Sequence, residues 1–131
     1  AGADAVLFTS GSVDVYNPKV VRSTTGSLFH LPFAVDLDFA ETITMIREAG
    51  HRILAADASG ESLTELIDSG ELGRDCTWIF GNEAWGFSQA ELEMADQVVA
   101  VPIYGAAESL NLATAASVCL YVTAFEQNKA D

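Results

Sequence analysis

The stretch QVVAVPIYGAAESLNLATAASVCLYVTAF, residues 97–125, decides how this chain is read. Its first part, QVVAVPI (97–103), is short, apolar and β-branched, as a strand covered on both faces is. Its last part, Leu110 to Phe125, is almost wholly apolar and small, as a buried helix is. Between them lies a loop with Gly105, and at the mouth of the helix stand Glu108, Ser109 and Asn111. Polar groups at the entrance of the most hydrophobic segment need a reason, and two are open. Ser109 is placed to cap a helix beginning at Leu110, with Glu108 at the positive end of its dipole. Asn111, within the first turn, fits that account less well, because a buried amide without partners costs about 1–3 kcal/mol. The other reason is a ligand.

Working outward, ADAVLFT (3–9), RILAAD (52–57) and CTWIF (76–80) read as further buried strands. Helical patterns separate them. DFAETITMIREAG (38–50) sets Phe39, Ile43, Ile46 and Ala49 on one face and stops at Gly50. SGESLTELIDSG (59–70) and SQAELEMAD (88–96) carry Ser62–Glu65 and Ser88–Glu91 at capping-box spacing. Strand alternating with helix predicts an α/β fold, a mainly parallel sheet flanked by helices.

In such sheets ligands bind beyond the carboxyl ends of strands. IF-GNEAWGFS leaves a strand for a loop with Gly81 and Gly86, as VPI-YGAAESLN does with Gly105, so one shared pocket is expected. Turn-forming glycines and a solvent-exposed Glu83 would explain the first loop equally well. Taken together, the loops offer backbone groups, one carboxylate and one amide beside Phe80, Trp85 and Ile103, with no lysine. That suits a flat heteroaromatic ligand better than a phosphate. Neither a P-loop nor a strand-borne G-x-G-x-x-G is present.

At 131 residues and 50% hydrophobic, the chain is one ordinary domain with a core. Its net charge of −13, with only six Lys and Arg, excludes broad attraction to phosphate or anionic lipid. No apolar run reaches the roughly 18 residues of a membrane helix. Cys76 and Cys119 share no metal-ligand spacing with His30 or His51, so no metal is expected. Both read as buried, reduced thiols, which suits a cytoplasmic protein. The opening AGADAVLFTSG lacks the basic start of a signal peptide and an initiator Met, which hints at a piece of something longer. In DVYNPKVVRSTTGSLFHLPF (14–33), Asn17 and Pro18 make a helix start that sets Lys19 and Arg22 on one face. Either that face is merely solvated, or Asn17, Lys19 and Arg22 make a local contact to RNA phosphate.

Over most of its length the chain resembles the SpoU (TrmH-type) family of RNA ribose 2′-O-methyltransferases, of the SPOUT class. The resemblance rests on GSVDVYNPKVVRSTTGSLFHLP after the first strand, IFGNEAWGFS as the second family motif and VPIYGAAESLNLATAASVCLY as the third. It implies the α/β knot, a deep trefoil at the C-terminal part, and an S-adenosyl-L-methionine site built from the two loops. The implied cofactor-binding residues are Phe80, Gly81, Gly86, Ile103, Ser109, Leu110 and Asn111, with the strand end AADAS (55–59) alongside. Glu108, Ser109 and Asn111 would border the cofactor and the target ribose, with Glu83, Ser109 and Asn111 as the catalytic residues. Partners would be RNA, ribosomal or transfer, and a second copy docked through the C-terminal helix.

The family's first motif, with an asparagine and the arginine that activates the hydroxyl, should precede a segment like AGADAVLFTSG. Arg22 does not match it. Residues 1–131 are therefore expected to be a catalytic domain lacking its N-terminal strand, helix and first motif, and inactive alone. A non-catalytic, dimeric knot scaffold is the alternative. A receiver-like domain, with Asp57 as its acid, is weaker because no late strand ends in lysine.

Overall fold

The computed structural model describes residues 1–11 and 30–129. The chain divides into two units, Gly2–Thr42 and Ile43–Asp131 with Ala1. Asn17, Lys19 and Arg22, and with them the expected helix start, lie outside the described residues.

In the first unit β1 (Val6–Thr9) pairs in parallel with β2 (Phe33–Leu37). Leu7 faces Ala34 but Thr9 faces Leu37, so β2 carries one extra residue, and Asp36 takes the left-handed φ of 53° there. A bulge of this kind bends a strand and re-aims its side chains. β2 was not expected from the sequence. Asp38 follows, its Oδ1 accepting the Glu41 N–H at 2.9 Å, and α1 (Phe39–Glu48) begins. Of the expected helix face, Ile43 is buried, Ile46 half-buried and Ala49 exposed. Gly50, at φ 88°, ends the helix as the sequence predicts.

The second unit is built on a three-stranded parallel sheet in the order β4 (Cys76–Phe80), β3 (Arg52–Ser62), β5 (Gln97–Ala100). β3 is central, and its Ile53, Leu54 and Ala55 are at most 1% exposed, which explains why the run is apolar without alternation. It continues to Ser62, through residues 59–62 that the sequence reads as helix. Pairing of Glu61 and Ser62 with Val99 and Ala100 overrides that local pattern. Only Leu63–Asp68 is helical (α2), with Ser62 capping Thr64 N–H at 3.3 Å and no reciprocal bond from Glu65. The capping box expected at Ser88–Glu91 is complete at the start of α3 (Gln89–Glu93). β5 stops short of the predicted 103, because Pro102 has no N–H to continue a ladder.

α4 (Leu112–Gln127) closes the core. Leu54, Leu63, Leu66, Leu72, Trp78, Val99 and Cys119 form one buried cluster joining sheet, α2 and α4. The Trp78 indole N–H donates to Thr123 Oγ1 at 2.9 Å, and that hydroxyl donates to the Cys119 carbonyl at 2.8 Å. The helix is thus locked to β4 with no buried side-chain polar atom left over among the described residues. Both cysteines are free thiols. Burial pushes Cys119 up to about 11 and raises Cys76 as well, helped there by the charge of Asp75.

Candidate functional site

At the carboxyl ends of β4 and β5 the sheet opens into a cavity of about 400 Å³. Strands supply its floor: Val99 and Val101 from β5 and its extension, Phe80 from the last rung of β4, Ala56 from the middle of β3. Alternation explains the choice, since every second residue of a strand faces one side. Two loops and the start of α4 supply the rest.

The first loop, residues 81–87, contributes Gly81, Glu83 and Gly86. It closes on itself. The Gly86 N–H donates to the Asn82 carbonyl at 2.7 Å, and the Ala84 N–H donates to Asn82 Oδ1 at 2.7 Å. Gly86 holds φ 64°, and a Cβ on Gly81 would come within 2.8 Å of the Gly86 carbonyl carbon. Both glycines are needed for the turn itself, and they present backbone to the cavity as a consequence. Trp85 is turned outward, 77% exposed.

The second loop contributes Ile103, Ser109, Leu110 and Asn111. Here the expected capping is corrected. The helix starts at Leu112, and Asn111, not Ser109, is its N-cap: Oδ1 accepts the N–H of Ala113 at 3.0 Å and of Thr114 at 3.3 Å. Asn111 is exposed, so no buried amide needs rescue. Because Oδ1 must be the acceptor in those bonds, the Nδ2 donors of this lining residue are left uncommitted among the described residues. Ser109 and Glu83 are exposed and make no hydrogen bond among the described residues. Tyr104, 88% exposed, stands on this loop as Trp85 stands on the other.

Of the residues singled out in advance on the two loops and strand ends, eight line one hollow, Phe80, Gly81, Glu83 and Gly86 with Ile103, Ser109, Leu110 and Asn111, whereas Trp85, Gly105 and Glu108 do not. The strand end 55–59 adds Ala56, Asp57 and Ala58. Val99, Val101, Leu112 and Ala115 were not named, although strand alternation and the first helical turn carry that signal, nor were Asn82 and Phe87 of the first loop. Among the described residues the lining holds two carboxylates, Asp57 and Glu83, and no Lys, Arg or His. No group of His, Cys, Asp or Glu that could hold a metal occurs among them. No helix of the described residues is long and apolar enough to cross a membrane.

The SpoU rRNA Methylase family matches residues 1–121. The chain is 35% identical over 121 residues to the 23S rRNA (guanosine(2553)-2′-O)-methyltransferase RlmP of Bacillus subtilis, covering 92% of this chain and 47% of that one. It is 34% identical over 123 residues to the 23S rRNA (uridine(2479)-2′-O)-methyltransferase of Streptomyces viridochromogenes, 92% of this chain and 42% of the relative. The crystal structure of the SpoU methyltransferase AviRb from Streptomyces viridochromogenes, in complex with the cofactor AdoMet, superposes with a TM-score of 0.81 at 33% identity, over 93% of this chain and 49% of that one. The chain spans about half the length of the relatives it matches. With the family matched over nearly its whole length, this chain belongs to the SpoU rRNA methylases.

Proposed function

We propose that the chain is the donor-binding part of an S-adenosyl-L-methionine-dependent methyltransferase acting on a ribose 2′-hydroxyl of ribosomal or transfer RNA. The observation that carries this reading is the convergence of both motif loops on one cavity at the carboxyl ends of parallel strands. The residues fit the donor. Apolar Phe80, Ile103, Leu110 and Val101 suit the faces of a purine, glycine-borne backbone suits its polar edge, and about 400 Å³ lies within the range of small-ligand sites.

When bound, the donor supplies a methyl group: the carbon–sulfur bond breaks with its pair left on sulfur, carbon bonds to the ribose oxygen, and the hydroxyl proton passes to a base or to water. The chain's share is position and polarity. Asn111 donates through Nδ2 while its oxygen holds the helix start. Ser109 and Glu83 border the acceptor side, Glu83 as an acceptor for the hydroxyl proton. Holding both reactants in line supplies much of the rate. A cation favouring the alkoxide is not among the described lining residues, so the isolated chain binds donor and turns over poorly.

The remaining parts of the reading follow the family. The C-terminal segment forms the deep trefoil knot, and two copies dock through α4, where Tyr121 and Phe125 are 52% and 66% exposed. RNA reaches the cavity past exposed Trp85 and Tyr104, on which unpaired bases stack, with Asn17, Lys19 and Arg22 as its phosphate contacts. The protein works in the cytoplasm.

Calorimetry with S-adenosylmethionine and its demethylated product, paired with transfer of labelled methyl groups to ribosomal and transfer RNA, tests this. Micromolar binding with little transfer is expected. Absence of heat from a folded chain at millimolar donor would refute the donor site. Binding that persists with no transfer even when the chain is fused to the N-terminal part of a relative such as RlmP would favour the scaffold.

A further inference from the structure

β3 does not run straight past the cavity. Ala56 and Glu61 both pair with Val99 of β5, so residues 57–60 leave the ladder and rejoin it at the same rung. The excursion is fastened twice. Gly60 packs against the Val98 and Val99 backbone so tightly that any Cβ would overlap it. Asp57 Oδ2 accepts both the backbone N–H of Ser59, at 3.0 Å, and its hydroxyl, at 2.5 Å. Asp57 and Ala58 of this loop line the cavity, and Asp57 Oδ1 is free of hydrogen bonds among the described residues. Together with Glu83, Asp57 makes the described lining anionic.

Resting on the donor reading above, we propose that Asp57 discriminates by charge, favouring the cationic methyl donor over the neutral thioether left after transfer. The two ligands differ only by the methyl group and one positive charge on sulfur. A carboxylate fixed in a partly desolvated wall favours the cation by about three- to tenfold at separations of several ångströms. The same preference loosens the site's hold on product, so a chain that reuses one cavity is cleared after each transfer. Ser59 is the positioning residue, since its two bonds fix the carboxylate's direction.

The test is calorimetric, on the whole chain, with S-adenosylmethionine, S-adenosylhomocysteine and sinefungin, whose amine carries charge near the sulfonium position. Wild type is expected to bind both cations about three- to tenfold tighter than the thioether. Asp57→Asn keeps the shape and the Ser59 bonds, so thioether affinity holds while the preference falls to what Glu83 alone sustains. Asp57→Glu retains a preference, Ser59→Ala lowers it partway, and Glu65→Gln, an exposed charge on α2, leaves it unchanged. The proposal is overturned if Asp57→Asn binds all three ligands in the wild-type ratio, or if Glu65→Gln lowers the ratio as much. Failure of a folded wild type to bind any of the three would overturn the donor reading along with it.

Discussion

The two loops that wall the cavity are built in opposite ways. Residues 81–87 hold themselves, with two bonds to Asn82, a left-handed Gly86 and backbone packed on Gly81. Residues 103–110 make no hydrogen bond among the described residues, are exposed from Tyr104 onward, and are fixed at their ends by β5 and by the Asn111 cap. One wall exists before any ligand arrives; the other takes its shape from where its ends are anchored. Mutations that act on internal packing should therefore hurt the first loop, and mutations at an anchor should hurt the second.

The largest effect is expected at Gly81. A methyl group there meets Gly86 backbone at 2.8–3.0 Å, which no side-chain rotation relieves. Gly81→Ala should cost about 1–3 kcal/mol in chemical denaturation, as overpacking does. It should also weaken S-adenosylmethionine binding at least about tenfold, because the wall moves. An unchanged midpoint with unchanged affinity would mean that the loop adapts as freely as its neighbour.

Next comes the anchor of the second loop. Asn111→Ala removes the N-cap of α4 and should lower stability by about 1 kcal/mol. Asn111→Ser restores a capping oxygen but no amide donor. If the reading of Nδ2 is right, the serine variant recovers the stability and not the donor affinity. Recovery of both would reduce Asn111 to a cap.

The same contrast explains what the sequence disclosed. β3, β4 and β5 were legible because buried parallel strands are apolar without alternation, and the α/β class followed from their spacing. The shared cavity was legible because each loop follows a strand directly and carries glycine. The start of α4 was not, since Ser109 and Asn111 are both good caps two residues apart and only the fold chooses between them. β2 escaped because FAVDL is short and Asp36 breaks its pattern at the bulge. The 57–60 excursion escaped for a different reason: DASGES reads locally as a helix approach, and only pairing with Val99 makes it strand. A threaded knot has no local signature at all, so its expectation came from family likeness alone.

The smallest effect is expected at Gly105, the glycine of the second loop. No atom lies within 4 Å of a Cβ built there, and its backbone is outside the left-handed region that favours glycine. Gly105→Ala should leave stability within about 0.5 kcal/mol, as surface changes away from special backbone do. It adds bulk to a loop without bonds of its own, so any change should appear in ligand binding and not in folding. Hydrogen exchange of residues 103–110 with and without S-adenosylmethionine reads this directly: protection should rise on binding in wild type, while 81–87, already bonded, changes less. Equal protection of the two loops before ligand is added would erase the distinction drawn between them.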